Sequence, residues 1–445
     1  MSWSWIDIIL FTLVVLCIVW VGHHIRNPTH RLSWSILLQQ PMAVSAGIIW
    51  LFFLGIALLD STPWPGQVEQ PKTALDAIFA PLDTFYEKTY SEPLALRAFV
   101  EETEVVQGKV ARFHAPLSYP PLALQATDSK QTFIAHALLR AGLWALLGMA
   151  GMAFFWMIVH ARTTHLSTAA WAGILTLGVL IFLSLAAYAI SRELHVLGTG
   201  KIGQDIFYYA VKSIRTALVI GLFTTLLTLP FALAFGVWAG YFGGWVDDVI
   251  QYIYTTVSSV PAVLLITASV LSMQIFIATH SQYFTTLHAA ADARLFSLCA
   301  ILGLTSWTNL CRLVRGETLK LRQMEYVLAG KVLGSSTFFI FRKHILPNAM
   351  HVVLMTVVLD FSSLVLAEAV LTYVGVGVSP MTMSWGNMIN SARLELARDP
   401  IVWWPMLSAF MFMVTLVFAC NWFADAFQEA FHPKLRERLI YTHSN

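Results

Sequence analysis

Apolar runs separated by short polar stretches dominate the chain. Nine stand out, at about 6–22, 42–60, 138–159, 171–190, 214–238, 250–277, 297–313, 349–372 and 402–424. Crossing a bilayer as a helix takes roughly 20 apolar residues, and the runs match that length closely enough to predict nine spanning helices. None shows the ten-residue alternation of a membrane β-strand, and only helices and closed barrels satisfy their backbone groups in lipid. The pattern therefore predicts an all-α polytopic membrane protein. One long polar segment, 61–137, interrupts the first four spans. Its many prolines and its acidic patch, Glu101, Glu102 and Glu104, read either as a small cap or as a connector. Within it, 73–88 and 94–107 are expected to form short amphipathic helices.

Composition supports this reading. Of 445 residues, 57% are hydrophobic and 12% charged, and the mean hydropathy is +0.68; a soluble domain usually carries about 25% charged residues. The distribution of charge says more than its net value of +2. Residues 312–347 hold seven Lys or Arg (Arg312, Arg315, Lys320, Arg322, Lys331, Arg342, Lys343) against Glu317 and Glu325, which places this loop in the cytoplasm. Alternating nine spans then puts the N-terminus outside, 61–137 outside, and the C-terminal tail 436–445 inside. One turn fits poorly: Asp247-Asp248 is acidic yet falls on the inner side. The four cysteines lie in or beside apolar runs without metal-ligand spacing, and read as small core residues. Residues 6–22 read as a retained anchor helix, because no positive residue precedes the run and His23-His24 follows it.

Four polar segments carry the candidate function. In 314–347, Glu325 opens a helical stretch with small residues at Ala329 and Gly330. Gly334 permits a sharp turn, and a second stretch closes on His344 and Pro347 before the next span. In Leu197-Gly-Thr-Gly-Lys-Ile-Gly-Gln-Asp-Ile-Phe207, the glycines Gly198 and Gly203 allow a tight return to the membrane beside Thr199, and Asp205 can cap the following helix. Ala239-Gly-Tyr-Phe-Gly-Gly-Trp-Val-Asp247 is a turn with interfacial aromatics. After the span at 349–372 come Glu368, Gly375, Gly377, Pro380 and Ser384-Trp385-Gly386. Pro230 and Pro261 fall inside spans and should kink them. The histidines, such as His23-His24, His160 with His165, and His280 with His288, are scattered and read as interfacial or solvated, not as metal ligands. No phosphate-binding loop of the Gly-x-x-x-x-Gly-Lys-Ser/Thr kind occurs.

Taken in order, these segments resemble the second permease subunit of peptide-type ABC importers, over about residues 196–435. The 325–347 stretch is similar to the "EAA" coupling loop of that family. The 197–207 stretch resembles the start of the permease core, with Gly200 in place of the usual Asp. The 367–388 stretch resembles the family's Glu-Ala-x-Leu-x-Phe/Tyr-x-Gly-x-Gly pattern followed by Ser-Trp-Gly. The resemblance implies a type I importer transmembrane domain, with a five-span core at 191–435 and about four extra spans in 1–190. It implies a non-catalytic subunit, paired with a second, homologous permease, two ATPase subunits and an extracytoplasmic solute-binding protein. ATP and Mg would be used by the partners, with no cofactor on this chain and no nucleic acid involved. Glu325, Ala329, Gly330, Gly334, His344 and Pro347 would then meet the ATPase. Glu368 and Asp360 are candidates for the translocation path or its gate, with a structural role favoured for Glu368. Ser384, Trp385 and Gly386 would lie near the docking site of the binding protein. The location expected is the bacterial inner membrane, and the default cargo is a di- or oligopeptide. A membrane enzyme would need a convergent polar cluster within the spans, and an ion-coupled transporter would show duplicated broken helices; neither pattern is present.

Overall fold

The computed structural model describes residues 5–26, 28–64, 72–84, 86–106, 109–119, 135, 138–140, 142–144, 146–151, 167–284 and 286–431. In chain order the helices are α1 (Trp5–Arg26), α2 (Pro28–Leu37), α3 (Pro41–Ser61), α4 (Ala74–Ile78) and α5 (Ala80–Thr84). A two-stranded sheet, β1 (Arg97–Val106) and β2 (Lys109–Pro116), follows. Then come α6 (Thr168–Ser191), α7 (Ile206–Phe242), α8 (Gly244–Ser259), α9 (Ala262–Thr279), α10 (Leu287–Leu321), α11 (Glu325–Val332), α12 (Thr337–Ile340), α13 (Leu346–Tyr373), α14 (Trp385–Ala392) and α15 (Trp404–Phe431).

Among the described residues, seven helices are long and apolar enough to cross a membrane: α3, α6, α7, α9, α10, α13 and α15. The run at 6–22 lies in α1, whose apolar stretch Ile6–Val19 is shorter. The run at 138–159 lies partly outside the described residues, as do His160, His165 and the tail 436–445.

Two expectations are corrected. The run at 250–277 is not one kinked helix but two helices parted at Val260-Pro261. Val260 is extended, with ψ 131°, because the Pro261 ring disfavours α geometry in the preceding residue and its nitrogen has no hydrogen to donate. Pro230, by contrast, stays inside a continuous α7. Residues 94–107 do not form a helix: Arg97–Val106 pairs antiparallel with Lys109–Pro116. Val100, Thr103, Val105 and Val106 favour the extended chain, and only two residues separate the strands.

The described residues fall into two compact units, one drawn from 38–216 and 383–419, the other from 5–37, 217–382 and 420–431. In the first, α3 and α6 pack closely through small residues. A Cβ on Gly173 would lie 2.8 Å from Val44 Cγ1, and Thr176 Oγ1 donates to Ser45 Oγ at 2.9 Å. In the second, α7 meets α10 through Gly236 and Gly240, where a Cβ would come within 2.8 Å of Val314 and 2.7 Å of the Arg315 carbonyl oxygen. This is the small-xxx-small spacing that lets membrane helices approach backbone to backbone.

Candidate functional site

The loop from α10 to α13 is a stiff two-helix knob. At its base, Arg322 Nη1 donates to the carbonyls of Gly240 and Tyr241 at 3.2 and 3.3 Å, satisfying groups that the end of α7 leaves open. Arg315 grips Asp247 through two parallel hydrogen bonds, of 2.5 and 2.7 Å, and these hold the Asp247 carboxyl below the usual carboxylate range. That pair gives the acidic Asp247 turn a counterion in the basic 312–347 stretch. Glu325 sits exposed in the first turn of α11, where the helix dipole favours a carboxylate.

At the other end of α11 the chain closes in a Schellman turn. Gly334 N donates to Lys331 O and Ser335 N to Gly330 O, both at 3.0 Å, and Gly334 takes φ +74°. Ser336 then caps α12 through Phe339 N at 3.3 Å. The second stretch does not end at Pro347. It runs through a π turn, Phe341–Ile345, directly into α13, with Pro347 in the first turn of that helix. A proline nitrogen donates nothing, and the wider π turn accommodates the register shift that the missing bond imposes. The knob is therefore continuous with a spanning helix.

Val327, Gly330, Ile340 and Ile345 point inward, joined by Tyr254 of α8 and Val314 and Leu321 of α10 in one apolar cluster. Lys331 Nζ lies 4.4 Å from the centroid of the Tyr241 ring. The His344 ring lies between Tyr326 and Phe339, 5.9 Å from each, so it ties the two short helices together. Outward, the knob presents an apolar surface rimmed by cations. Val332 is 88% exposed and Leu333 83%, beside Leu328 and Phe338, with Ala329, Lys331, Arg342 and Lys343 also exposed. Gly330 was expected on this outer face but is buried against Ile340, so the outer contact is made by side chains one helical step away.

The lead-in to α7 is a second built site. Asp205 caps the helix as its sequence suggested, accepting from Tyr208 N at 2.8 Å. Its other oxygen bonds His195 Nδ1 at 2.7 Å, and His195 Nε2 lies 3.6 Å from Glu87 Oε1. That longer separation makes Glu87 an ion-pair neighbour, so the hydrogen bond to Asp205 carries most of the interaction. Glu87 in turn accepts from the backbone of Ser118 and Tyr119 at 3.0 and 2.8 Å. Burial by itself would lower the pKa of His195, which is 0% exposed. The carboxylates of Asp205 and Glu87 outweigh it and push the imidazole up to about 9. Burial would raise Glu87, but His195 and the two amides bring it down to about 2. Thr199 Oγ1 donates to Thr89 O at 2.8 Å, and its carbonyl accepts from Trp404 Nε1 at 3.0 Å. Gly203 has φ +75°, and a Cβ there would collide with the Glu87 carbonyl oxygen. Gly198 sits equally close to the Ser91 carbonyl.

Sequence reasoning missed His195 and Glu87. Glu87 lies 108 residues before its partner in the polar segment, and no local spacing links them. The remaining expected residues lie apart from these two sites. Glu368 is buried and accepts from Thr372 Oγ1 at 2.8 Å, which favours its structural role. Asp360 is half-buried on α13. Ser384, Trp385 and Gly386 are buried: Ser384 caps α14 through Asn387 N, and Trp385, 1% exposed, donates to Ala210 O at 2.9 Å. A ring that large and apolar gains more from packing beside Phe53 and Phe412 than from facing water. The exposed surface nearby is 393–401. Among the described residues no His, Cys, Asp and Glu side chains gather as a metal would need; His280 stacks on Phe276 at 4.3 Å.

Residues 232–437 match the family model for the binding-protein-dependent transport system inner membrane component. The chain is 31% identical over 243 residues to the oligopeptide transport system permease protein OppC of Bacillus subtilis, an alignment covering 55% of this chain and 73% of that protein. It is 28% identical to the dipeptide permease DppC of the same organism, over 54% of this chain and 69% of that one. It is 29% identical to the glutathione transport system permease GsiD of Pectobacterium atrosepticum, over 54% and 73%. With a two-helix knob joined to a spanning helix, seven long apolar helices among the described residues and this likeness, the chain belongs to the binding-protein-dependent transport inner membrane component family, as a permease subunit of the peptide ABC-importer type.

Proposed function

We propose that this chain forms half of the translocation path of an ATP-driven importer for peptides or similar small solutes. It performs no bond chemistry itself. A second, homologous permease completes the path, two ATPase subunits bind at the knob, and a solute-binding protein delivers cargo on the opposite side. ATP and Mg act in the ATPases. The chain crosses the bacterial inner membrane with its basic loop and C-terminus in the cytoplasm and 61–137 outside.

One observation carries this reading: the exposed apolar tip of the knob, Leu328, Val332, Leu333 and Phe338, stands on a frame locked by Arg315–Asp247 and continuous with α13. An apolar patch at the end of a rigid lever fits a groove in a partner. Displacement of that partner would move a spanning helix directly, since no flexible joint intervenes between Thr337 and Tyr373.

The test is co-purification from detergent-solubilised membranes with Val332→Asp/Leu333→Asp. Both side chains are exposed, so the chain should fold. Putting two charges into an apolar contact should reduce ATPase recovery at least about tenfold, with the second permease still recovered. Full ATPase recovery with the variant, or none with well-folded wild type, would overturn the coupling reading.

A further inference from the structure

Asp360 lies midway along α13 (Leu346–Tyr373). The rotation of this helix is set by its neighbours in sequence. Phe361 is buried against Gly221 of α7, which has no room there for a methyl group. Ser362 Oγ donates to Asn421 Oδ1 at 2.8 Å, and Leu364 and Val365 are buried. Successive residues turn by about 100°, so the open side of the helix carries Leu359, Ser363, Leu366, Val370 and Tyr373. Their spacings of four and three residues define one stripe, and Asp360 stands at its edge.

The Asp360 backbone carbonyl accepts from Ser363 Oγ at 2.8 Å. Among the described residues its carboxylate has neither a hydrogen bond nor an ion pair. A carboxylate at this depth is costly against lipid, and such groups face protein or a water-filled cavity. A fixed cation from a neighbouring subunit would have to be desolvated at the same depth. A hydrated path leaves Asp360 solvated at no such cost, and the Ser363 hydroxyl beside it suits contact with water.

We propose that Asp360 is a charge-selective group on the water-lined side of the path, which attracts cationic groups of the cargo and disfavours anionic ones. This rests on the permease reading above. A half-exposed carboxylate interacts weakly with any one cation, which suits passing contact better than retention.

The test uses the full importer in proteoliposomes, with Ser363→Cys in a Cys17→Ser background, since the other cysteines are buried. A cationic thiosulfonate reagent should label Cys at 363 several-fold faster than an anionic one of equal size, and Asp360→Asn should abolish that preference. Labelling needs no cargo, so its outcome is independent of whether the cargo is a peptide. Uptake of Ala-Lys-Ala relative to Ala-Glu-Ala should also fall in Asp360→Asn, by up to about fivefold, the range a partly exposed ion pair supports. Absent labelling by either reagent, an unchanged reagent preference, or loss of the second permease from Asp360→Asn complexes would each overturn the proposal. If labelling behaves as expected while wild type imports neither peptide, the charge-selective site stands and the peptide cargo reading fails.

Discussion

Replacing His195 by Gln should reveal how much the buried ion triad contributes to holding the polar segment onto the lead-in of α7. The folded pKa is raised, from 6.5 to about 9. A raised basic pKa stabilises the fold fully below the unfolded value, and that contribution disappears as pH rises through the folded value. With the imidazole raised to about 9, the linkage amounts to about 3 kcal/mol at pH 6, falls to about 1 kcal/mol at pH 8 and is nearly gone above pH 9. Full burial of His195 means solvent screening removes little of this. An independent expectation agrees in size, since removing one partner of a buried ion pair costs roughly 3–5 kcal/mol. The assay is thermal unfolding of the detergent-solubilised chain at pH 6, 7, 8 and 9, for wild type and His195→Gln. The gap between the two should be widest at pH 6 and should narrow steadily toward pH 9. Glu87 does not confuse the readout: its pKa is lowered to about 2, so its contribution is present above 4.5 and vanishes only at strongly acid pH. A gap that stays constant across this range, or a variant as stable as wild type at pH 6, would refute a charged His195.

Two glycines with nearly the same backbone angle should respond very differently to alanine. Gly334→Ala meets open space and should cost only the positive-φ strain, about 1 kcal/mol, whereas Gly203→Ala must also displace the Glu87 backbone and should lose folded protein outright in a detergent-stability screen. Breaking the Arg315–Asp247 grip by Arg315→Gln should cost about 2 kcal/mol. Asp247→Asn alone should cost a comparable amount, and a double-mutant cycle on thermal stability should return a coupling of about 1–2 kcal/mol; strictly additive losses would mean the pair is not formed.

Much of this protein was legible in one dimension because the bilayer imposes a one-dimensional constraint. A helix that crosses it must be apolar for its whole length, so α3, α6, α7, α10, α13 and α15 could be placed without any knowledge of their neighbours. The αL turn at Gly334 and the cap at Asp205 were equally readable, since each is settled within three or four residues. What the sequence left open depended on partners far along the chain. Whether Pro261 kinks or breaks a span, and whether Pro347 ends a helix or sits inside one, turned on how nearby backbone could be rearranged. The direction of Trp385 followed from Ala210 and Phe53, and the charge of His195 from Glu87, each more than a hundred residues away. Local hydrophobicity thus determined which segments enter the membrane. Only tertiary packing decided which polar groups are buried with partners and which stay open to act, because desolvation and ion pairing depend on distances in space that no sequence interval encodes.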